Sequence, residues 1–322
     1  MATHRLLRAA FLAALVPVAA IAVQAQGHGN PDRPIPALAA EPPMLGLHQV
    51  RGEAGKARPG GGGASPNIVW HNGAIMPRVT VKPIFWGPSW SNAGFYADKL
   101  DGLHAWHTGI GNSSFADTTN EYTGTGGAIT SQIDYSAGYL KDTVTPVPST
   151  VSKLTTPTAS EVCKVLNGTA APDGSGYYPV YVDVKRGNAG FCAYHSYTTC
   201  DGVPVQFAFF FNLDGDAGCN PQDASGLHSE GLAALVNVSA HELSEARTDP
   251  RNGGWYDNSG AENADKCAWT FGTDLITLPA NGTKWKMQGN WSNAAYNANK
   301  GYPNSSKQNG CIDGGNFLKP TP

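Results

Sequence analysis

Charge is scarce in this chain of 322 residues. Only 15% of them are Asp, Glu, Lys or Arg, against about 25% in an average soluble protein. The formal net charge is −3 and no basic block of five residues occurs, which argues against a nucleic-acid partner. With 39 Gly and 23 Pro and an apolar fraction of 41%, the composition favours a real core built from short strands and many turns.

Long apolar runs are absent after the first 25 residues, so no membrane span is expected. Within those residues, Arg5 and Arg8 precede an Ala-rich apolar stretch, and Val23-Gln24-Ala25 fits a small-residue cleavage site. Residues 1–25 are therefore predicted to be a signal peptide. The mature protein is expected to be secreted and extracellular.

Cysteine is also sparse, with six in the chain. In an exported protein they predict disulfides, although six cysteines allow 15 pairings that sequence alone does not decide. The short separation of Cys192 and Cys200 is consistent with a disulfide that closes a hairpin or a short loop. A bond between Cys267 and Cys311 would tie down the C-terminal tail after Asn252, which has little periodicity and is predicted to be irregular. Cys163 and Cys219 are then left as a pair by elimination.

Residues 26–66 contain seven Pro and nine Gly, including the run from Gly60 to Gly63. This composition predicts a flexible linker or a pro-segment. Its only side chains that could block a metal are those of His28 and His48. Order is expected to begin near Ile68, with one domain over residues 67–316 and a short tail at 317–322.

Alternating and helical hydrophobic patterns follow one another without clean repetition, which predicts an α/β or α+β domain with a mixed sheet. The predicted helices cover residues 96–108 and 160–166, and a longer one follows Gly226 and ends before Thr248-Asp249-Pro250 because Pro250 restricts the residue before it. The predicted strands cover residues 79–86, 129–135, 178–184, 191–194 and 205–213.

The motif His241-Glu242-Leu243-Ser244-Glu245 lies on that longer helix. Residues four apart share a helical face, so His241 and Glu245 can reach one ion while Glu242 reaches a water on it. A catalytic zinc site needs three protein ligands and an open position. Glu262 and Asp265 are the candidates for the third ligand.

Asp249, Asp257 and His195 are weaker candidates for that third ligand. In the resulting zincin-like site Zn²⁺ is the expected cofactor, Glu242 is the expected general base, and Tyr256 or His195 would stabilise the oxyanion. The structural alternative makes Glu242 and Glu245 solvated helix positions and His241 a hydrogen-bonded interior residue.

Two further patterns favour a structural role over a functional one. Asp214-Gly215-Asp216 resembles the start of a calcium loop but lacks the remaining ligands, which favours a turn. An aromatic group could line a sugar-binding cleft, although aromatics are more often core residues; its members are Trp86, Trp90, Trp255, Tyr256 and Trp269.

Several blocks together resemble the exordium-like, phosphate-induced-protein family. They are His71-Asn72-Gly73, Val81-Lys82-Pro83-Ile84-Phe85-Trp86-Gly87, Gly190-Phe191-Cys192-Ala193-Tyr194-His195-Ser196, and Val238-Ser239-Ala240-His241-Glu242-Leu243 with Thr248-Asp249-Pro250. The resemblance covers about residues 67–316 and implies an extracellular protein; plant members are associated with cell walls and growth responses, without an agreed enzymatic activity. The chain differs from the plant pattern at Glu245 and in its tail, and it is closer to microbial members.

The sequence thus predicts a secreted metal-dependent hydrolase, most specifically a zinc peptidase acting on extracellular proteins or peptides. The alternative is a non-catalytic extracellular protein of the exordium type that contacts cell-wall polysaccharide through its aromatic residues.

Overall fold

The computed structural model describes residues 41–53, 66–135, 138–169 and 171–315. The predicted signal peptide at 1–25 and the tail at 317–322 lie outside the described residues. So does His28.

A mixed sheet of eight strands forms the centre of the described structure. The strands are β1 (Leu45–Gln49), β2 (Val79–Val81), β3 (Ile84–Trp86), β4 (Ile133–Tyr135), β5 (Leu140–Asp142), β6 (Gly176–Lys185), β7 (Phe191–Cys200) and β8 (Val203–Asn212). They run in the spatial order β1-β7-β8-β6-β2-β4, with β3 beside β6 and β5 beside β3. β1 and β7 pair antiparallel, as do β7 and β8, whereas the remaining pairs are parallel.

The predicted strand at residues 79–86 is divided into β2 and β3. Pro83 lies between them and has no N–H to donate to a ladder. β2 pairs with the start of β6, at Gly176 and Tyr177, whereas β3 pairs further along the same strand. The proline therefore offsets two short strands along one edge of β6.

Among the described residues there are five α-helices, and the longest is buried along almost its whole length. This helix, α4 (Glu230–Thr248), starts after Ser229, whose side chain accepts a hydrogen bond from the Leu232 amide. It ends at Thr248, one residue later than predicted and two residues before Pro250. It packs against α2, β1, β7 and β8. The helices are α1 (Ala93–Tyr96), α2 (Lys99–Ile110), α3 (Thr156–Thr169), α4 (Glu230–Thr248) and α5 (Asn293–Asn297).

The C-terminal part has little regular structure, as the sequence predicts. Its elements are strands of two to four residues, a short 3-10 helix at Asp265–Cys267 and the five-residue helix α5. The paired strands are Trp255–Tyr256 with Val69–Trp70, Ile276–Thr277 with Lys284–Trp285, and Asn309–Ile312 with both Asn290–Trp291 and Tyr302–Pro303. Thr123–Gly124 and Gly127–Ala128 form a further pair, and 3-10 helices lie at Pro88–Ser91 and Ala116–Thr119.

All six cysteines are paired, but two of the predicted pairings are wrong. The disulfides are Cys163–Cys200, Cys192–Cys219 and Cys267–Cys311. Cys192 and Cys200 lie near opposite ends of β7, so about 3.3 Å of rise per residue separates them by roughly 26 Å. No disulfide can close that distance. Only the pairing of Cys267 with Cys311 is confirmed.

The segment predicted to be a linker contains an ordered strand. β1 lies at Leu45–Gln49 and pairs with β7, so the prediction that order begins near Ile68 is wrong for residues 41–53. Pro and Gly are so frequent in residues 26–66 that the composition gives no sign of the five residues that form this edge strand.

Within the described residues, no helix has both the length and the apolarity needed to cross a bilayer.

Candidate metal centre

His241 and Glu245 face the same side of α4, as their spacing predicts. Both side chains are fully buried, and His241 Nε2 lies 3.1 Å from Glu245 Oε2. Neither atom has a hydrogen-bond partner of acceptable geometry. Two ligands about 2.1 Å from a tetrahedral ion lie about 3.4 Å apart, so this pair has a separation suited to a shared cation.

The segment after α4 folds back over this pair. The Asp265 amide donates a hydrogen bond to Glu245 Oε1 at 2.8 Å, and Asp265 Oδ1 lies 3.7 Å from His241 Nε2. The Glu262 amide donates to the other carboxylate oxygen of Asp265 at 3.2 Å. His241, Glu245 and Asp265 each present one ligand atom within 4.8 Å of the others.

Strand β7 contributes His195 from the other side. Its Nε2 lies 3.2 and 3.3 Å from the two carboxylate oxygens of Glu262. It also forms a second group with Glu242 and Glu245, again with ligand atoms within 4.8 Å of one another. Glu245 belongs to both groups and is therefore the residue that links them.

The cluster holds four carboxylates, those of Glu242, Glu245, Glu262 and Asp265, in a largely buried space. The first three are at most 4% exposed, and Asp265 is 24% exposed. Among the ion pairs of the described residues, none joins a lysine or arginine to any of the four. Buried unpaired carboxylates are costly, so the cluster needs either protons or a cation.

The pKa values reflect this lack of positive charge. Burial raises the pKa of Glu245 to about 8, and it raises the pKa values of Glu242 and Glu262 well above the usual range, with the Glu245 carboxylate adding to both shifts. Burial lowers the pKa of His241 to about 4 and that of His195 to about 3. Both histidines are therefore neutral, which is the form that binds metals.

Gln288 contacts His241 at Nδ1, the ring nitrogen that is not the one close to Glu245. Its side-chain amide nitrogen lies 2.8 Å from His241 Nδ1 and donates to the Ala264 carbonyl at 3.0 Å. Its amide oxygen accepts from the Trp269 amide at 3.1 Å and lies 3.0 Å from His48 Nε2. These contacts fix the Gln288 amide and, through it, the orientation of the His241 ring.

A cleft of about 370 Å³ leads to this cluster. Its lining includes residues 44–47 of the N-terminal segment together with Tyr256, Glu262 and Asp265. Tyr256 is partly exposed and stacks on His71 with ring centroids 3.6 Å apart. The structure thus places Tyr256 at the rim of the cleft.

Of the sequence candidates, the structure brings six together: Glu242, His241, Glu245, Glu262, Asp265 and His195. The other two weaker candidates, Asp249 and Asp257, have other partners. Asp249 lines the cleft, but its Oδ1 accepts hydrogen bonds from the Gly253 and Gly254 amides, and Asp257 pairs with Lys266.

The remaining sequence candidates lie in ordinary structural roles. Residues 214 and 215 form a turn, flanked by ion pairs of Asp214 with Lys99 and of Asp216 with Arg186. Trp86 and Trp90 are buried in the main core. These two therefore cannot contribute to a polysaccharide-binding surface.

Sequence reasoning did not identify Gln288 or Gly46 as site residues. Gln288 lies in a segment without periodicity, so no local pattern marks it. Gly46 has a backbone φ of +48° and lies directly against Glu245 and His195. A glycine between two leucines was the only available signal of a close backbone approach.

No match was found for the chain in comparisons with protein-family models, with curated proteins or with solved structures. The resemblance to the exordium-like family therefore stays a prediction.

Proposed function

We propose that this chain is a secreted, zincin-like zinc peptidase that hydrolyses extracellular proteins or peptides. One observation carries the proposal: four largely buried carboxylates cluster with two neutral histidines, and no lysine or arginine of the described residues pairs with any of the four. Structural histidines and carboxylates normally satisfy one another with hydrogen bonds. Here His241 Nε2, Glu245 Oε2 and both carboxylate oxygens of Glu242 have no hydrogen-bond partner of acceptable geometry within the described part of the chain.

The donor set favours zinc. His241, Glu245 and Asp265 would supply one nitrogen and two carboxylates, a combination that zinc accepts readily. Two ionised carboxylates would also neutralise a divalent ion. When bound there, zinc would polarise a substrate carbonyl and lower the pKa of a bound water.

Residues of the chain would supply the general base and the group that stabilises the oxyanion. Glu242 follows His241 on α4 and belongs to the group that includes His195 and Glu245, so it is placed to accept a proton from a water at the ligands. The nearby His48 amide offsets part of the rise in its pKa. His195 or Tyr256 would face the developing oxyanion.

The secretory assignment is supported by composition and covalent structure. The three disulfides among residues 163–311 are typical of proteins that fold in an oxidising compartment. Together with the signal peptide predicted at residues 1–25, they favour export.

Metal analysis of the purified mature chain tests the proposal most directly. We expect about one zinc ion per chain to survive dialysis, and chelation should lower the melting temperature because metal binding stabilises the folded state. Hydrolysis of an unstructured protein should stop with the chelator and return with zinc. A chain without metal that binds cell-wall polysaccharide would overturn the proposal in favour of the non-catalytic alternative.

A further inference from the structure

β1 lies against the proposed metal ligands as an extended peptide would. A Cβ added to Gly46 would collide with Glu245 Oε2 and would stand 2.8 Å from His195 Nε2. The Gly46 backbone also contacts His241, and the His48 amide lies near Glu242. The backbone from Gly46 to His48 therefore passes directly over the ligand residues and the proposed base.

β1 reaches this position by pairing with the edge of β7, the strand that carries His195. Leu45 is opposite His195, His48 is opposite Ala193 and Gln49 is opposite Phe191, and the register shifts between these pairs. By contrast, β7 and β8 pair without interruption over eight residues. The contact between β1 and β7 is thus less regular than the sheet it joins.

Side-chain and backbone contacts hold the segment at both ends. Ser196 donates a hydrogen bond to the Pro43 carbonyl at 2.7 Å, and the Arg51 amide donates to the Gly218 carbonyl at 2.8 Å. Between these ends, His48 is fully buried beside His241, with ring centroids 4.2 Å apart. The segment therefore covers the cluster, and its residues 44–47 form part of the wall of the neighbouring cleft.

We propose that the outer edge of β7 is the peptide-binding edge of the site and that residues 41–53 occupy it as a substrate-like, autoinhibitory segment. This inference rests on the proposed peptidase function. Edge strands recognise extended peptides through main-chain hydrogen bonds, and pockets for individual side chains then give specificity. The site would accordingly take extended peptides in place of β1.

The same geometry assigns a specificity. At the position of Gly46 a side chain would collide with Glu245 and His195, and the φ of +48° strains any residue with a Cβ. We therefore infer a preference for glycine at the substrate position that faces Glu245. Larger residues there would push the peptide off the edge.

The test separates β1 from the rest of the chain after folding. A recognition sequence for a site-specific endoprotease replaces Gly60–Gly63, the full chain is folded and cut, and residues 26–60 are removed by dialysis in mild denaturant. Circular dichroism then reports whether the remainder keeps its fold. We expect it to do so, with hydrolysis at least about 10-fold faster than in the uncut chain.

A labelled peptide of residues 41–53 is then added back and followed by fluorescence anisotropy. It should bind and inhibit, whereas the matched Gly46→Ala peptide should bind at least about 10-fold more weakly. Unfolding after removal, or equal binding of the two peptides, would overturn the inference and make β1 a permanent strand. Selective binding without any hydrolysis by the zinc-loaded chain would refute the peptidase proposal while leaving the peptide-binding edge in place.

Discussion

The side-chain amide of Gln288 meets Nδ1 of His241 at 2.8 Å in a fully buried contact. The Trp269 amide and the Ala264 carbonyl fix the orientation of this amide, so its nitrogen faces the ring. Nδ1 therefore accepts a hydrogen bond, and the neutral ring carries its proton on Nε2. A metal can bind Nε2 of the neutral ring only in the other tautomer, in which the proton lies on Nδ1 and faces the amide nitrogen of Gln288.

Replacing Gln288 with glutamate should therefore strengthen metal binding. A carboxylate would accept a proton from Nδ1 and free Nε2 for the metal, as in carboxylate–histidine–zinc arrangements. We expect Gln288→Glu to bind zinc at least about 10-fold more tightly in a chelator competition. Without zinc it should be less stable than the wild type, because it adds a buried carboxylate to the cluster.

Gln288→Met is the matched control, since it keeps the length of the side chain and removes the polar contacts. It should weaken zinc binding and leave His241 poorly oriented. If Gln288→Glu held zinc no more tightly than the wild type, Nε2 of His241 would not be a ligand atom.

The disulfide pairings make a second prediction. Non-reducing peptide mapping should recover peptides linked as Cys163–Cys200, Cys192–Cys219 and Cys267–Cys311. Replacing Cys163 and Cys200 together with alanine should lower the free energy of unfolding by about 2 to 4 kcal/mol, because the bond restricts the unfolded chain. A linked peptide containing Cys192 and Cys200 would contradict the extended geometry of β7.

Glu161 should make stability depend on pH. Burial, with the Asp142 carboxylate adding to it, raises the pKa of Glu161 from 4.5 to about 7, although Lys164 acts against the rise. Between pH 4.5 and about 7, the folded state therefore keeps a proton on Glu161 that the unfolded chain has lost. This contribution to stability is fully present below pH 4.5 and disappears as the pH rises through about 7.

We expect Glu161→Gln to match the wild type at pH 5 and to be more stable by about 1 to 3 kcal/mol at pH 8, measured by thermal unfolding. Asp142→Asn is the control of opposite sign. Burial acts to raise the pKa of Asp142, but Lys164 and the Thr145 and Val144 amides lower it overall. Its stabilisation is present above pH 3.8 and lost below, so this variant should be less stable at pH 8.

The sequence predicts those parts of the site that depend on local geometry. Pro250 and the apolar spacing locate the end of α4, and the four-residue spacing places His241 and Glu245 on one face. The sequence also predicts the mixed sheet, because runs of β-branched and aromatic residues identify the longer strands. These features need only the chain's own periodicity.

Other features depend on how distant segments meet. β1 is five residues within a segment dominated by Pro and Gly, and pairing with β7 makes it a strand. The partners of Cys163 and Cys192 depend on the length and direction of β7. Gln288 reaches His241 from 47 residues away. Periodicity does not encode such contacts.

The last prediction separates metal binding from catalysis within α4. His241→Ala and Glu245→Ala each remove a proposed ligand, so both variants should lose zinc and peptide hydrolysis together. Glu242→Gln keeps the size of the side chain but replaces the proton acceptor. It should retain zinc while hydrolysis falls at least about 100-fold.

The three variants also differ in their expected stability. Each of the three positions is fully buried. In zinc-free protein, the glutamate substitutions Glu242→Gln and Glu245→Ala should be tolerated or stabilising, because each relieves a crowded group of carboxylates. Loss of zinc with preserved stability would then identify ligand removal rather than misfolding. If Glu242→Gln hydrolysed peptides at the wild-type rate, Glu242 would not be the base; if the wild type held no zinc, the peptidase proposal would fall as a whole.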